Sequence, residues 1–290
     1  MKQLTRFVRG PAGRCGDGLT GTTSGVRAPE RFRLRYGPWA VVTGASSGIG
    51  RQMAVRLAQA RLNLVLVARR RDLLEDIAAG LGREFGIHTR VVAADLSTVE
   101  GIAVVGAGTA DLDVGLLVAA AGFGTSGPFL DSDAGQERDM LNTNCWAVLS
   151  MSEHFGARFV ARGGGGIVLL GSLVGRQGTP WAAHYAATKA YVLTLAEGLR
   201  LELRPRHVDV VACAPGPVHT AFADRAGMRM STALRADDVV VPTLNALGGR
   251  GVVTPGALSK ALTWSMLPPP RSRRVWIMGE IMHRMSTADA

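Results

Sequence analysis

Lysine, tyrosine and cysteine are scarce in this chain. Of its 33 basic residues only Lys2, Lys189 and Lys260 are lysines, and Tyr36, Tyr185 and Tyr191 are the only tyrosines. The cysteines, Cys15, Cys145 and Cys213, stand far apart. No pair has metal-ligand spacing, so no metal site is expected and a reduced, cytoplasmic compartment is. Cys145 and Cys213 lie in apolar runs and are read as core packing. No uncharged apolar run reaches the roughly 18 residues of a transmembrane helix. No repeat at a period of about 20–50 residues is visible either.

The charge is unevenly spread. The whole chain carries +10, but residues 1–37 hold eight basic residues against Asp17 and Glu30, leaving +4 for the rest. That remainder is too weakly basic to imply nucleic acid as a partner. Residues 1–37 are rich in Gly, Arg and Thr and lack periodicity. They are expected to form a disordered basic extension, Arg-rich and acid-poor like a transit peptide but without the apolar block of a secretory signal.

Against this scarcity, Tyr185 and Lys189 stand four residues apart, a spacing that puts both on one face of a helix. Arginine would serve a surface ion pair as well. A lysine here suits a task that needs a compact ammonium. An ammonium near a phenol favours phenolate and lowers its pKa from the usual ~10. The phenol can then exchange a proton as acid or base. Ser172, thirteen residues earlier, is placed to hold the oxygen that gains or loses that proton.

From Trp39 onward short apolar runs alternate with helical stretches. Strands are expected at 39–43, 63–68, 88–94, 114–119, 166–171 and 208–214. Helices are expected near 49–60, 71–85, 97–107, 136–162 and 182–203. Such alternation predicts an α/β fold: a Rossmann-type, doubly wound parallel sheet with helices on both faces, three layers in one domain. The first strand runs into Thr43-Gly44-Ala45-Ser46-Ser47-Gly48-Ile49-Gly50. A glycine turn between a strand and a helix lets backbone N–H groups approach a pyrophosphate, which the positive end of the helix also attracts.

The glycine turn, Ser172 and the Tyr185-x-x-x-Lys189 motif together resemble the short-chain dehydrogenase/reductase family, in its single-domain branch, over roughly residues 38–256. The resemblance implies an NAD(P)(H)-dependent oxidoreductase that interconverts a carbonyl and an alcohol by hydride transfer. Ser172 would bind the substrate oxygen, Tyr185 would pass the proton, and Lys189 would hold the nicotinamide ribose and tune Tyr185. Asn144, in Asn142-Thr143-Asn144, matches the residue that holds a water in the family's proton relay. Asn142 is its rival, but the register to the helix favours Asn144. Cofactor contacts are implied for Thr43, Gly44, Ser46, Ser47, Gly48, Ile49 and Gly50, for Asp95 and Leu96 after the third strand, and for Ala121 and Gly122 after the fourth. Tyr185, Lys189, Pro215, Gly216, Val218 and Thr220 complete that set. Where NAD enzymes carry an acid after the second strand, this chain has Ala68-Arg69-Arg70. A guanidinium at Arg69 pairs with a 2′-phosphate that a carboxylate would repel, so the expected cofactor is NADP(H). The chain departs from the family at Ala119-Ala120, where two asparagines are usual. Asp95 also reads as an Asx-type turn.

The substrate is less legible. Phe123, Phe129, Trp181, His184 and Phe222 adjoin the motifs and could line an apolar pocket. Residues 221–232 are expected to form a lid. Residues 257–290 read as a C-terminal helical extension. Its segment 273–285 suggests a basic amphipathic helix that packs on the domain, closes a dimer or touches lipid, in that order of preference. A small carbonyl or alcohol and a second copy of the chain are the expected partners. The competing function is a redox sensor that binds NADP(H) without turnover, which would be expected to lose Tyr185 or Lys189.

Overall fold

The computed structural model describes residues 25–220, 222, 226, 233–266 and 268–286. Seven parallel strands form one sheet in the order β3-β2-β1-β4-β5-β6-β7. They are β1 (Trp39–Thr43), β2 (Asn63–Ala68), β3 (Thr89–Ala93), β4 (Val114–Ala119), β5 (Gly165–Leu170), β6 (Val208–Cys213) and β7 (Val252–Val253). The first six fall where the apolar runs predict. The two-residue β7 is too short to leave a periodic signal. Every residue of β4 and β5 is buried, as unbroken apolar strands in a parallel sheet must be when helices cover both faces.

Alternation along each strand feeds two cores. Val42, Leu64, Leu66, Leu116 and Val118 belong to one apolar cluster. Their neighbours Val41, Val65, Val67 and Leu117 belong to another, because successive side chains point to opposite faces of a strand. Helices α2 (Gly48–Gln59), α3 (Arg71–Phe85), α4 (Val99–Ala107), α5 (Ala134–Leu141), α6 (Ala147–Arg162) and α7 (Ala183–Leu203) cover these faces with α8 (Ala236–Leu244). In α3 the buried residues are Leu74, Ala78 and Leu81, one stripe at helical spacing. That helix stops at Gly86, whose φ of +62° is a left-handed cap.

The N-terminal stretch corrects one expectation. Residues 1–24 and Cys15 lie outside the described residues. Pro29–Tyr36, placed by its composition in the disordered extension, is a helix, α1. Phe32 and Tyr36, four residues apart, are buried in the first core. The Tyr36 hydroxyl donates to Asp209 Oδ2 at 2.7 Å, and Arg35 Nη2 meets the same oxygen at 2.5 Å. The polar, arginine-rich face of α1 hides this pair of anchors in the composition, and only the three-dimensional partner Asp209 explains them.

Two further helices close the chain, α9 (Ala257–Ser265) and α10 (Arg271–Ser286). The expected amphipathic helix exists and packs on the domain: Gly279 and Met282 are buried, and Trp181 stacks on His283 with ring centres 4.5 Å apart. No helix among the described residues is long and apolar enough to cross a membrane.

Candidate active site

The sheet reverses its winding between β1 and β4, and ligands of such folds bind beyond the carboxyl ends of the strands at that point. A cleft of about 710 Å³ lies there, bounded by the β1–α2 loop, the ends of β4 and β5, α7 and α10. Gly44, Ser46, Ser47, Gly48, Ile49 and Gly50 line it. Gly44 has φ +67°, and a Cβ there would lie 2.9 Å from the Ala120 carbonyl oxygen. At Gly50 a Cβ would come 2.4 Å from the Gly44 carbonyl oxygen, so glycine is what allows α2 to start against the loop. Ser47, the N-cap of α2, makes no side-chain cap. The first amides of the helix are therefore not satisfied by it, as an anion-binding helix start requires.

Thr43 differs from its expected place. It lies behind the loop rather than in the cleft. Its buried hydroxyl accepts from the amides of Ala120 and Ala121, both at 3.0 Å, and ties β1 to the chain leaving β4. That bond fixes the backbone where Ala119-Ala120 lacks the usual amide side chains. Ala121 and Gly122 line the cleft as expected.

Arg69 and Arg70 border the cleft just beyond β2, with Arg70 Nη2 3.5 Å from Ser46 Oγ. Asp95 and Leu96 also line it. Asp95 makes the Asx-type turn as well, accepting from the Ser97 amide at 3.0 Å and its hydroxyl at 2.8 Å. Pro215, Gly216, Val218 and Thr220 also line the cleft.

Ser172, Tyr185 and Lys189 meet in the same cleft. The first precedes a short helical turn after β5, and the other two lie on α7. Tyr185 and Lys189 are both buried, with Lys189 Nζ 5.8 Å from the Tyr185 ring centre. Lys189 Nζ donates to the Leu170 carbonyl oxygen at 2.8 Å. The Ser172 hydroxyl favours ionisation of the phenol. Burial is stronger: it pushes Tyr185 up to about 12 and Lys189 down to about 8. This corrects the expectation of a lowered phenol pKa, because loss of water disfavours the charged form of each group.

Asn144 and Asn142 part company in the fold. Between α5 and α6 the chain makes a π-helical turn, Asn142–Trp146, where a continuous α-helix is expected. Such wide turns often mark functional positions. Fully buried Asn144 donates from Nδ2 to the Phe123 carbonyl at 2.9 Å and to Thr188 Oγ1 at 3.0 Å. Its Oδ1 accepts from the Phe123 amide at 3.2 Å. Asn142 turns away and donates to the Ser97 carbonyl. At Gly122 a Cβ would lie 2.8 Å from Asn144 Oδ1 and 3.4 Å from Lys189 Nζ, so that glycine joins the two residues.

Of the aromatic candidates, Phe123 and Phe222 line the cleft and Phe222 lies 5.5 Å from the Tyr185 ring. Phe129 is 66% exposed. His184 turns to the Glu137 carbonyl, and Trp181 backs onto His283. The expected lid, apart from Phe222 and Ala226, lies outside the described residues. The cleft also holds residues not foreseen from the sequence: Leu262, Met266, Arg274, Met278, Ile281, Met282 and Met285. The spacing 274, 278, 281, 282, 285 on one helical face was the available signal.

Comparison with known proteins agrees with this geometry. The short chain dehydrogenase family matches residues 38–230. A 7beta-hydroxysteroid dehydrogenase of Clostridium sardiniense is 30% identical over 233 residues, covering 79% of this chain and 89% of that protein. A solved 7beta-hydroxysteroid dehydrogenase superposes with a TM-score of 0.79 at 26% identity, over 85% of this chain and 98% of that one. A short-chain dehydrogenase of Sphingobium yanoikuyae, in complex with NADPH, gives 0.73 at 32% identity over 87% and 98%. The chain thus belongs to the short-chain dehydrogenases and is an oxidoreductase.

Proposed function

We propose that this enzyme interconverts a bulky, apolar ketone and the corresponding secondary alcohol with NADP(H), using Ser172, Tyr185, Lys189 and Asn144. The observation that carries the reading is the burial of Tyr185 and Lys189 in the one cleft that also holds Ser172, the glycine loop and Arg69.

The residues present fit the dinucleotide. The loop from Gly44 to Ile49 and the start of α2 suit the pyrophosphate. Arg69 and Arg70 suit a 2′-phosphate. Lys189, held by the Leu170 carbonyl, sits where it can donate to a ribose hydroxyl. When bound, the nicotinamide supplies or takes the hydride. This chain's own residues do the rest. Ser172 holds the substrate oxygen, and the Tyr185 hydroxyl gives it a proton during reduction or takes one during oxidation. A phenol that ionises near 12 is mostly protonated at neutral pH, which suits proton donation to a ketone. Asn144 holds the Phe123 backbone and the start of the relay path behind Lys189. A non-catalytic sensor would have no use for this set.

Bulk and apolarity follow from the substrate wall of Phe123, Phe222, Met278 and Met282. Relatives named as hydroxysteroid dehydrogenases support the same size class. A homo-oligomer and a cytoplasmic location complete the proposal. Exposed Leu141, Trp146 and Tyr191 offer apolar surface to a second copy, and the buried, isolated Cys145 and Cys213 suit a reducing compartment. An absorbance screen of ketones with NADPH and alcohols with NADP⁺ tests the function. Turnover of bulky ketones is expected, and failure across a panel of steroid, aryl and long-chain ketones by enzyme that binds NADPH would overturn it.

A further inference from the structure

Helix α10 presents one face to the cleft, on which Arg274, Met278, Ile281, Met282 and Met285 stand. Four of the five are apolar. Met282 packs in the cluster that contains Tyr185 and so marks the reacting end. Arg274 marks the other end. Eight residues of α-helix rise about 12 Å.

Arg274 is the anomaly on this face. Its Nε is shut off from solvent and has no hydrogen-bond partner. Among the described residues it makes no ion pair, and none of the carboxylates around the cleft, Asp95, Asp139 and Glu197, neutralises it. The other cations of the cleft are accounted for: Arg176 donates to Thr254, Lys189 donates to Leu170, and Arg69 and Arg70 sit at the end of β2. Position makes Arg274 costlier still. It lies in the first turn of α10 beside Arg271 and Arg273, with no acidic residue in that turn. The positive end of a helix repels cations. The Arg274 guanidinium and the helix start together give that end of an apolar cleft a positive potential that no carboxylate among the described residues answers.

We propose that Arg274 is a specificity-determining residue that binds an anionic group, a carboxylate in the first instance, carried by the apolar substrate at a point remote from its reacting carbon. The inference deepens the proposed function and rests on its placement of the reacting carbon at Tyr185. An anion there would receive charge-assisted bonds from a guanidinium fork. The methionines between would cover the apolar body of the molecule, with side chains flexible enough to follow its shape. The substrate class is thus an amphipathic keto acid or hydroxy acid rather than a neutral ketone.

The test is binding, so that it does not depend on finding the substrate. Dodecanoate and methyl dodecanoate, equal in apolar length, are titrated by calorimetry into the full-length protein and into Arg274→Met. Methionine keeps the stem volume and removes the charge. The wild type is expected to bind the anion at least about tenfold more tightly than the ester, the range of a hydrogen bond to a charged group. In the variant that preference should vanish, with ester affinity unchanged. NADPH is titrated in parallel and should bind both proteins equally. No preference for the anion in the wild type, including failure of both to bind, would overturn the proposal. So would a preference that survives in the variant, or weakened NADPH binding there, which would make Arg274 a cofactor residue. Folding of the variant is confirmed by its thermal transition. If the variant does not fold, Arg274→Gln replaces it. Failure of the wild type to bind NADPH at all would instead strike the proposed function.

Discussion

Lys189 directs its ammonium at the Leu170 carbonyl oxygen, 2.8 Å away, while its nitrogen stays 5.8 Å from the centre of the Tyr185 ring. The two residues share a helix face but not a hydrogen bond. In the proposed reaction the lysine serves the cofactor and the phenol the substrate. The separation assigns them different duties and makes those duties separately measurable.

Tyr185→Phe removes one hydroxyl and keeps the ring against Phe222. Turnover should fall by about 10²–10⁴, the usual worth of a general acid. NADPH affinity should hardly change. Stopped-flow turnover and fluorescence titration of the same sample check this. Near-normal turnover would remove Tyr185 from the proton transfer.

Lys189 also leaves a mark on stability. Its pKa is lowered by burial to about 8 in the folded protein, against roughly 10.4 in an unfolded chain. Between those values the unfolded state binds more protons, so stability rises with pH across that window. Below pH 8 the charged, buried lysine costs the fold about 3 kcal/mol relative to a lysine of unshifted pKa. Lys189→Met should flatten this rise. Urea unfolding at about pH 7.5, below the window, and about pH 9.5, well inside it, gives the comparison. An equal slope in both proteins would show that the ammonium is not held against a desolvation cost.

Cofactor choice rests on the end of β2. Arg69→Asp should weaken NADPH by about tenfold or more, since a carboxylate repels a 2′-phosphate that a guanidinium binds, and should bring NADH closer to it. Titration of both nucleotides decides. An unchanged ratio would shift the phosphate contact to Arg70, which already reaches toward Ser46.

The N-terminal helix is expected to be structural. Tyr36→Phe strips Asp209 of a buried partner and should cost about 1–3 kcal/mol, read as a lower denaturation midpoint with unchanged slope. Removing residues 1–37 takes away Phe32 and Tyr36 together and should cost more, at roughly 1.5–3 kcal/mol for each buried side chain. A truncated chain as stable as the full one would restore the domain boundary that composition suggests.

Much of this protein was determined by local pattern. Apolar strands alternating with amphipathic helices specify the sheet, because period and burial are properties of consecutive residues. The glycine loop was legible for the same reason: Gly50 is required by the Gly44 backbone six residues away, although the need for Gly44 comes from Ala120 and Ala121 beyond β4. Tyr185 and Lys189 share a helix turn, so their pairing was legible too. What the sequence could not decide depends on partners distant along the chain. Asn144 differs from Asn142 only through a π turn and through contacts to Phe123 and Thr188. Thr43 leaves the cleft because it answers amides beyond β4. The pKa of Tyr185 turns on how completely the fold excludes water, which outweighs the charge four residues on. Tyr36 belongs to the core because Asp209 meets it from β6. Arg274 reaches the cleft because α10 folds back over it, and no local pattern encodes where a terminal helix will lie.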